Sequence, residues 1–167
     1  MQREFKEIIG KINKMNVIHR IYIQKAAIKN GLYFGQLAIL ENIIKNENCT
    51  QKDLSTLLQV SPPSIATSIK RMKKAGLIEK SVDESDCRYN RITPTDLGRE
   101  LAKNCREDFN KVDRQMFEGF SSEECSILSD YIERLITNLS TEEFKDKNFF
   151  SLLQEEKKLH GRKDNNE

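Results

Sequence analysis

The sequence predicts a mainly α-helical protein with one small β-hairpin, and three observations support this fold class. Apolar residues recur at three- and four-residue steps through most of the 167-residue chain, which is the period of amphipathic helices. Two short runs with β-branched residues, 77–82 and 89–92, flank the polar tip Asp83-Glu84-Ser85-Asp86, as expected of a hairpin. Capping residues separate the apolar stripes, so the chain divides into several helices of ordinary length.

The helix boundaries follow from capping residues. Glycine residues stand where the first and fourth helices should end, at Asn30-Gly31 and Ala75-Gly76. A second helix is predicted from about Phe34 to Lys45. Four hydroxyl residues directly precede an apolar stripe and are predicted N-caps: Thr50, Ser61, Thr95 and Ser121.

Composition limits the class of protein. Hydrophobic residues make up 37% of the chain and charged residues 32%, which predicts a small core and a large surface. No run approaches the roughly 20 apolar residues of a membrane span, and the charged N-terminus does not resemble a secretory signal. We therefore expect a cytoplasmic protein of about one domain that has no membrane partner.

The sequence offers little for enzyme chemistry or for a metal. No C-x-x-C occurs, and His19 and His160 are the only histidines, which argues against a Cys/His metal cage. The short motifs of serine hydrolases, zinc proteases and nucleotide-binding loops do not occur either. We therefore expect no enzyme activity and no cofactor.

The distribution of charge is more informative than the net charge of +2. Residues 1–30 carry +5 and residues 61–80 carry +4, whereas residues 101–167 carry −4. A basic middle segment favours an anionic partner. A solvated, lysine-rich helix surface would show the same charges, so charge alone leaves both interpretations open.

The order of the central elements, two short helices and then a hairpin, is that of a winged helix-turn-helix. On a helical wheel, Ile65, Ile69 and Met72 share one side of the fourth helix and are predicted to face the first helices. In such a domain the start of this helix reaches bases and long cations reach phosphates. The candidate DNA-binding residues here are Ser61, Ser64, Thr67, Ser68, Lys70, Arg71 and Lys74.

The same region resembles the MarR family of transcriptional regulators. The runs Thr50-Gln51-Lys52-Asp53-Leu54-Ser55 and Ala75-Gly76-Leu77-Ile78 are similar to that family. The wing carries the most specific match, a D-x-x-D-x-R motif followed by a hydrophobe and T-x-x-G: Asp83, Asp86, Arg88, Ile92, Thr95 and Gly98. The segment after Leu139 is longer than is usual in the family, and its purpose is open.

The resemblance implies a homodimeric repressor that binds a palindromic operator. It implies an N-terminal dimerisation helix in residues 1–30, a winged DNA-binding domain in 31–98, C-terminal dimerisation helices in 99–160 and a disordered tail in 161–167. Arg88 would enter the minor groove, where Asp86 would orient it. Two alternatives remain: the hairpin only braces the domain, or the winged helix serves protein–protein assembly.

Regulation is the least determined part of the prediction. Family members respond to small aromatic or phenolic compounds, and the candidate lining residues here are His19, Tyr22, Tyr33 and Phe34. These residues could equally be ordinary core. Cys87, beside Arg88, is the candidate for a thiol-based redox sensor, with an inert thiol as the alternative, whereas Cys105 lies on an apolar stripe and is expected to act as a small hydrophobe.

Overall fold

The computed structural model describes residues 2–33, 35–82 and 90–161. Within these ranges the chain forms seven helices and a two-stranded hairpin, which confirms the predicted fold class. The elements are α1 (Gln2–Lys29), α2 (Gln36–Lys45), α3 (Gln51–Leu58), α4 (Pro62–Lys74), β1 (Ile78–Val82), β2 (Asn90–Pro94), α5 (Asp96–Met116), α6 (Ser122–Leu139) and α7 (Phe149–Gly161). None of these helices is long and apolar enough to cross a membrane.

Three of the four predicted N-caps are made as expected. Thr50 and Ser121 each form a reciprocal capping box with the residue three positions on, and Thr95 accepts a hydrogen bond from the backbone N–H of Gly98. Ser61 occupies the N-cap position of α4 but accepts no backbone N–H. The reason is local, because Pro63 has no N–H and the N–H of Ser64 donates to the Ser61 carbonyl.

The core lies where α2, α3, α4, the hairpin and the start of α5 meet. Ile65, Ile69 and Met72 of α4 are at most 1% exposed, which confirms the predicted inward side of this helix. They pack in one cluster with fully buried side chains from the neighbouring elements, including Leu40, Ile43, Leu54, Ile78, Ile92 and Cys105. The orientation of α4 is therefore fixed by burial of one side.

Both strands of the hairpin are attached to this core, through Ile78 and Ile92. The strands pair antiparallel, with Ile78 opposite Pro94 and Lys80 opposite Ile92. The N–H of Ile92 also donates to the carbonyl of Cys49 over 2.9 Å, which ties β2 to the residue before the α3 cap. The second strand ends two residues later than predicted, at Pro94, because a strand end tolerates a residue without an N–H.

The long helices α1 and α6 bury little of their surface. In the described part of α1 only Ala27 is buried, and α6 has no buried residue. The segment after α6 folds back toward the winged region, where Phe150 packs against the core cluster. The N–H of Asn148 donates to the side-chain oxygen of Gln59, at the end of α3, over 2.9 Å.

A close contact joins the end of α4 to the start of α5. The N–H of Thr95 donates to the carbonyl of Leu77 over 3.1 Å, and the Thr95 hydroxyl donates to the carbonyl of Gly76 over 2.7 Å. A Cβ atom at Gly98 would lie 2.1 Å from the oxygen of Leu77. The glycine of the T-x-x-G motif is therefore required by the approach of two backbone segments.

Gly98→Ala is expected to lower the free energy of unfolding by about 1–3 kcal/mol, because the added methyl group meets backbone rather than a movable side chain. The measurement is urea unfolding followed by circular dichroism. Gly10→Ala is the matched control, since a Cβ there has nothing within 4 Å and should leave stability equal or higher. A Gly98→Ala midpoint equal to that of the wild type would contradict this account of the contact.

Candidate nucleic-acid interface

The seven candidate DNA-binding residues lie on α4 or at its N-cap, and all are outside the buried stripe of this helix, with Ser64 and Ser68 at its border. Five of them are exposed, namely Ser61, Thr67, Lys70, Arg71 and Lys74, and Ser64 and Ser68 are half-buried. Because the apolar side of α4 is held in the core, this outward surface is presented in one fixed orientation. It has hydroxyl groups near the start of the helix and cations near its end.

The hydroxyl groups at the start of α4 already have hydrogen-bond partners. The Oγ atoms of Ser61 and Ser64 are 2.9 Å apart and share one hydrogen bond. Thr67 Oγ1 donates to the carbonyl of Pro63 over 2.9 Å. A hydroxyl that donates within the helix retains its oxygen as an acceptor, so Thr67 can accept from a base amino group without rearrangement.

Positive charge is concentrated at the end of α4 and on the adjacent strand. Arg71, Lys73 and Lys74 lie in the last turn of the helix, where cations also interact favourably with the helix dipole. Burial, and then the nearby charge of Lys73, lower the pKa of Lys80 on β1. Lys80 thus adds a further cation next to those at the end of α4, and such a concentration of positive charge suits a polyanion.

Arg71 lies beside an aromatic ring. Its guanidinium carbon lies 5.3 Å from the ring centroid of Tyr33, in the loop between α1 and α2. Tyr33 therefore lies beside the outward surface of α4, apart from His19 and Tyr22. Asp86, Cys87 and Arg88, together with Phe34, lie outside the described residues.

His19 and Tyr22 line an open cavity of about 420 Å³ between α1 and α5, together with Met15, Ile18, Val112 and Met116. His19 also borders a second cavity, of about 470 Å³, between α1, α2, α5 and α7. His19 is not a buried core residue, because its side chain is 38% exposed and its Nε2 lies 2.9 Å from Asp113 Oδ1. The structure thus brings together two of the four effector candidates.

The second cavity contains residues that sequence reasoning did not identify. Phe149 and Phe150 of α7 contribute to its wall, opposite Leu37 and Phe109, and their rings meet edge to face at 5.8 Å. Arg106 also lines it and forms a two-point ion pair with Glu41 of α2, over 2.7 and 2.5 Å. The amphipathic pattern of α7 predicted a helix, but no pattern within it indicates which surface it covers.

The cysteines of the core are unsuited to redox sensing. Cys49 and Cys105 are buried, and burial raises the pKa of both thiols, that of Cys105 to about 11. A thiol with so high a pKa forms little of the reactive thiolate near neutral pH. Cys105 is thus the small hydrophobe that its position predicted. In the described part of the chain, no group of three acidic, histidine or cysteine side chains could hold a metal ion.

The fold and this surface define the class of the protein, which is a winged helix-turn-helix. The family model described as "MarR family" matches residues 30–89, from the end of α1 to the residue before β2. The HTH-type transcriptional regulator BilQ of Clostridioides difficile (strain CD3) is 32% identical over 109 residues, which cover 63% of this chain and 71% of BilQ. The chain belongs to the MarR family of DNA-binding transcriptional regulators.

Solved structures share this architecture at lower sequence identity. The YusO protein from Bacillus subtilis has a TM-score of 0.69 at 14% identity, and the match covers 84% of this chain and 99% of YusO. FabT of Streptococcus pneumoniae, solved in complex with DNA, has a TM-score of 0.61 at 21% identity, with coverage of 83% and 96%. At these identities the likeness concerns the fold alone.

Proposed function

We propose that the protein is a sequence-specific repressor that binds a palindromic operator as a homodimer and is released by a small aromatic or phenolic effector. The observation that carries this proposal is the outward surface of α4, where hydroxyls and cations oppose a side buried in the core. FabT, whose fold is similar, was solved with DNA, which supports a duplex as the partner. A protein-assembly module would not need this combination of groups.

The homodimer is supported by apolar surface that one protomer leaves uncovered. Side chains of α1 and α6 are between 43% and 79% exposed although they are large and apolar: Phe5, Ile8, Ile9, Val17, Ile127, Ile132, Leu135, Ile136 and Leu139. A monomer rarely exposes contiguous apolar surface on this scale. A twofold axis lets the same two helices of a second copy cover it, and it matches the symmetry of a palindrome.

The effector site is proposed in the larger cavity, because its wall comes both from the winged region and from the long helices. Leu37 and Ala38 belong to α2, Phe109 to α5 and Phe150 to the segment that packs back on the core. Aromatic rings at the wall suit a flat apolar ligand, and nearby Arg20 suits a phenolate or carboxylate. A ligand bound there contacts α2, which shares the core cluster with α4. Binding can therefore shift the position of α4.

The first test separates phosphate contacts from base reading. Lys74→Ala should weaken binding to operator and random duplexes alike, because a flexible exposed cation contacts phosphate. It should also lower the salt slope, which is the slope of log affinity against log salt concentration, by about one in magnitude. Fluorescence anisotropy at two salt concentrations measures this, with an operator recovered by pull-down of fragmented genomic DNA. Lys103→Ala, which removes an exposed cation from α5, is the control and should leave the slope unchanged.

Arg88→Ala provides the contrast in the same assay. The proposed minor-groove role predicts a loss of about 1–3 kcal/mol on the operator and much less on random DNA. Asp86→Ala should show a weaker form of the same defect, because it releases Arg88 without removing the charge. Operator binding by Arg88→Ala that equals the wild type would refute the assigned role, and equal loss on both duplexes would make Arg88 a phosphate contact.

The dimer is tested by placing one charge on α6. Leu135→Glu should raise the dimer dissociation constant at least about tenfold, because the carboxylate would be buried without a partner. Analytical ultracentrifugation of the full chain measures this shift. Ser126→Glu adds the same charge to the side of α6 opposite Leu135, where Glu123 and Asp130 are its neighbours, and should leave the dimer intact. A wild-type protein that is monomeric at tens of micromolar would rule the homodimer out.

The effector site is tested with phenol and benzoate as probes, by their ability to release labelled operator DNA. Ala38→Leu narrows the larger cavity and should reduce the response at least about tenfold, since a filled cavity leaves no room for a ring. Val112→Phe fills the smaller cavity and serves as the matched control, with an unchanged response. If neither probe releases wild-type protein, the proposed ligand class is wrong.

A further inference from the structure

Tyr33 is an exposed aromatic residue whose position is not explained by burial. Tyr33 is 62% exposed, yet the centroid of its ring lies 5.3 Å from the guanidinium carbon of Arg71. The two residues are 38 positions apart and belong to different elements, the α1–α2 loop and the last turn of α4. An aromatic face toward a guanidinium is a favourable arrangement, because the negative face of the ring attracts the cation.

The backbone of Tyr33 is fixed by a buried glutamine. The N–H of Tyr33 donates to the side-chain oxygen of Gln36 over 2.9 Å, and the N–H of Gln36 donates back to the carbonyl of Tyr33 over 3.0 Å. Gln36 is 5% exposed and is the one buried polar residue in the described part of the chain. A polar side chain is costly to bury without hydrogen bonds, so this reciprocal pair accounts for its presence.

The residue before Tyr33 anchors the loop from the other side. Leu32 is 2% exposed in the core cluster, and its N–H donates to the carbonyl of Ala27 over 2.9 Å. The ring of Tyr33 is therefore carried by a backbone that is held at two consecutive residues. The backbone position of Tyr33 is thus set by the core rather than by the contact with Arg71.

We propose that Tyr33 is a positioning residue for DNA binding, whose ring holds Arg71 ready to contact a phosphate. This inference rests on the proposed DNA-binding role of α4. A guanidinium that lies over an aromatic ring spends none of its N–H groups on a hydrogen bond to that ring's edge, and those groups are the ones that bind phosphate oxygens. The location of Arg71 in the last turn of α4 favours phosphate over a base edge, because base contacts come from the start of a recognition helix.

The test is a double-mutant cycle measured by fluorescence anisotropy on operator and random duplexes. Arg71→Ala should weaken binding to both about tenfold and lower the salt slope by about one. Tyr33→Ala should weaken both about three- to fivefold, and it should have no further effect in the Arg71→Ala background, because the ring acts only through Arg71. Thermal unfolding of Tyr33→Ala should match the wild type, since the ring is exposed.

Two further substitutions identify the property of the ring that matters. Tyr33→Phe keeps the aromatic face and should restore binding to within about twofold of the wild type. Tyr33→Leu keeps apolar bulk without that face and should behave like Tyr33→Ala.

Several results would overturn the inference: Tyr33→Ala binding that equals or exceeds the wild type, Tyr33→Leu that matches Tyr33→Phe, or an equal loss with and without Arg71. Each of these leaves the DNA-binding function in place. Failure of the wild-type protein to bind any duplex at low salt would instead overturn the proposed function itself.

Discussion

The arrangement of the outward surface of α4 depends on burial of the other side of this helix. Ile65, Ile69 and Met72 are each essentially inaccessible, and they lie one turn apart along the helix. A helix held by such a stripe cannot rotate without bringing apolar side chains into water, at about 1.5–3 kcal/mol for each. The direction of Lys70, Arg71 and Lys74 is therefore a consequence of core packing. Core packing fixes the side of the helix on which these cations lie, whereas the position of a long side chain such as Arg71 also depends on its neighbours.

The carbonyl of Leu77 extends this constraint to the rest of the molecule. It accepts from Thr95 and lies against the position of Gly98, so the start of α5 is fixed relative to the end of α4. From there α5 runs along α1, where Asp108 accepts hydrogen bonds from Lys111, Lys29 and Asn30, which lower the pKa of its carboxyl group. The helices α1 and α5 are thus connected to the outward surface of α4 by a continuous set of contacts.

Much of this framework was predictable from the sequence because its causes are local. An N-cap needs only a hydroxyl or carboxylate near the first turn, and Thr50, Thr95 and Ser121 provide it as predicted. The inward side of α4 follows from the spacing of three residues along one helix. Ser61 shows where local reasoning also has to include neighbours, since Pro63 lacks an N–H and the N–H of Ser64 donates to the Ser61 carbonyl instead of to its hydroxyl.

The features that the sequence did not reveal join residues far apart in the chain. The sequence suggests Tyr33 only as an effector candidate, because nothing in its own segment indicates a guanidinium 38 positions later. The same applies to Gln59, a residue with positive φ whose side chain accepts from Asn148 and donates to the carbonyl of Asp146. A left-handed conformation is unfavourable for glutamine, and the hydrogen bonds to the C-terminal segment help to offset that cost.

Such contacts need a defined fold before they exist, because both partners must already be held in place. Gln36 fixes Tyr33 only after α2 is packed, and Gln59 meets the C-terminal segment only after that segment folds back on the core. The spacing of apolar residues shows which side of a helix is buried, but it does not show which distant element packs against that side. Where long-range contacts set the chemistry of the surface, as at Arg71, the sequence therefore identifies the cation and the three-dimensional structure identifies what holds it.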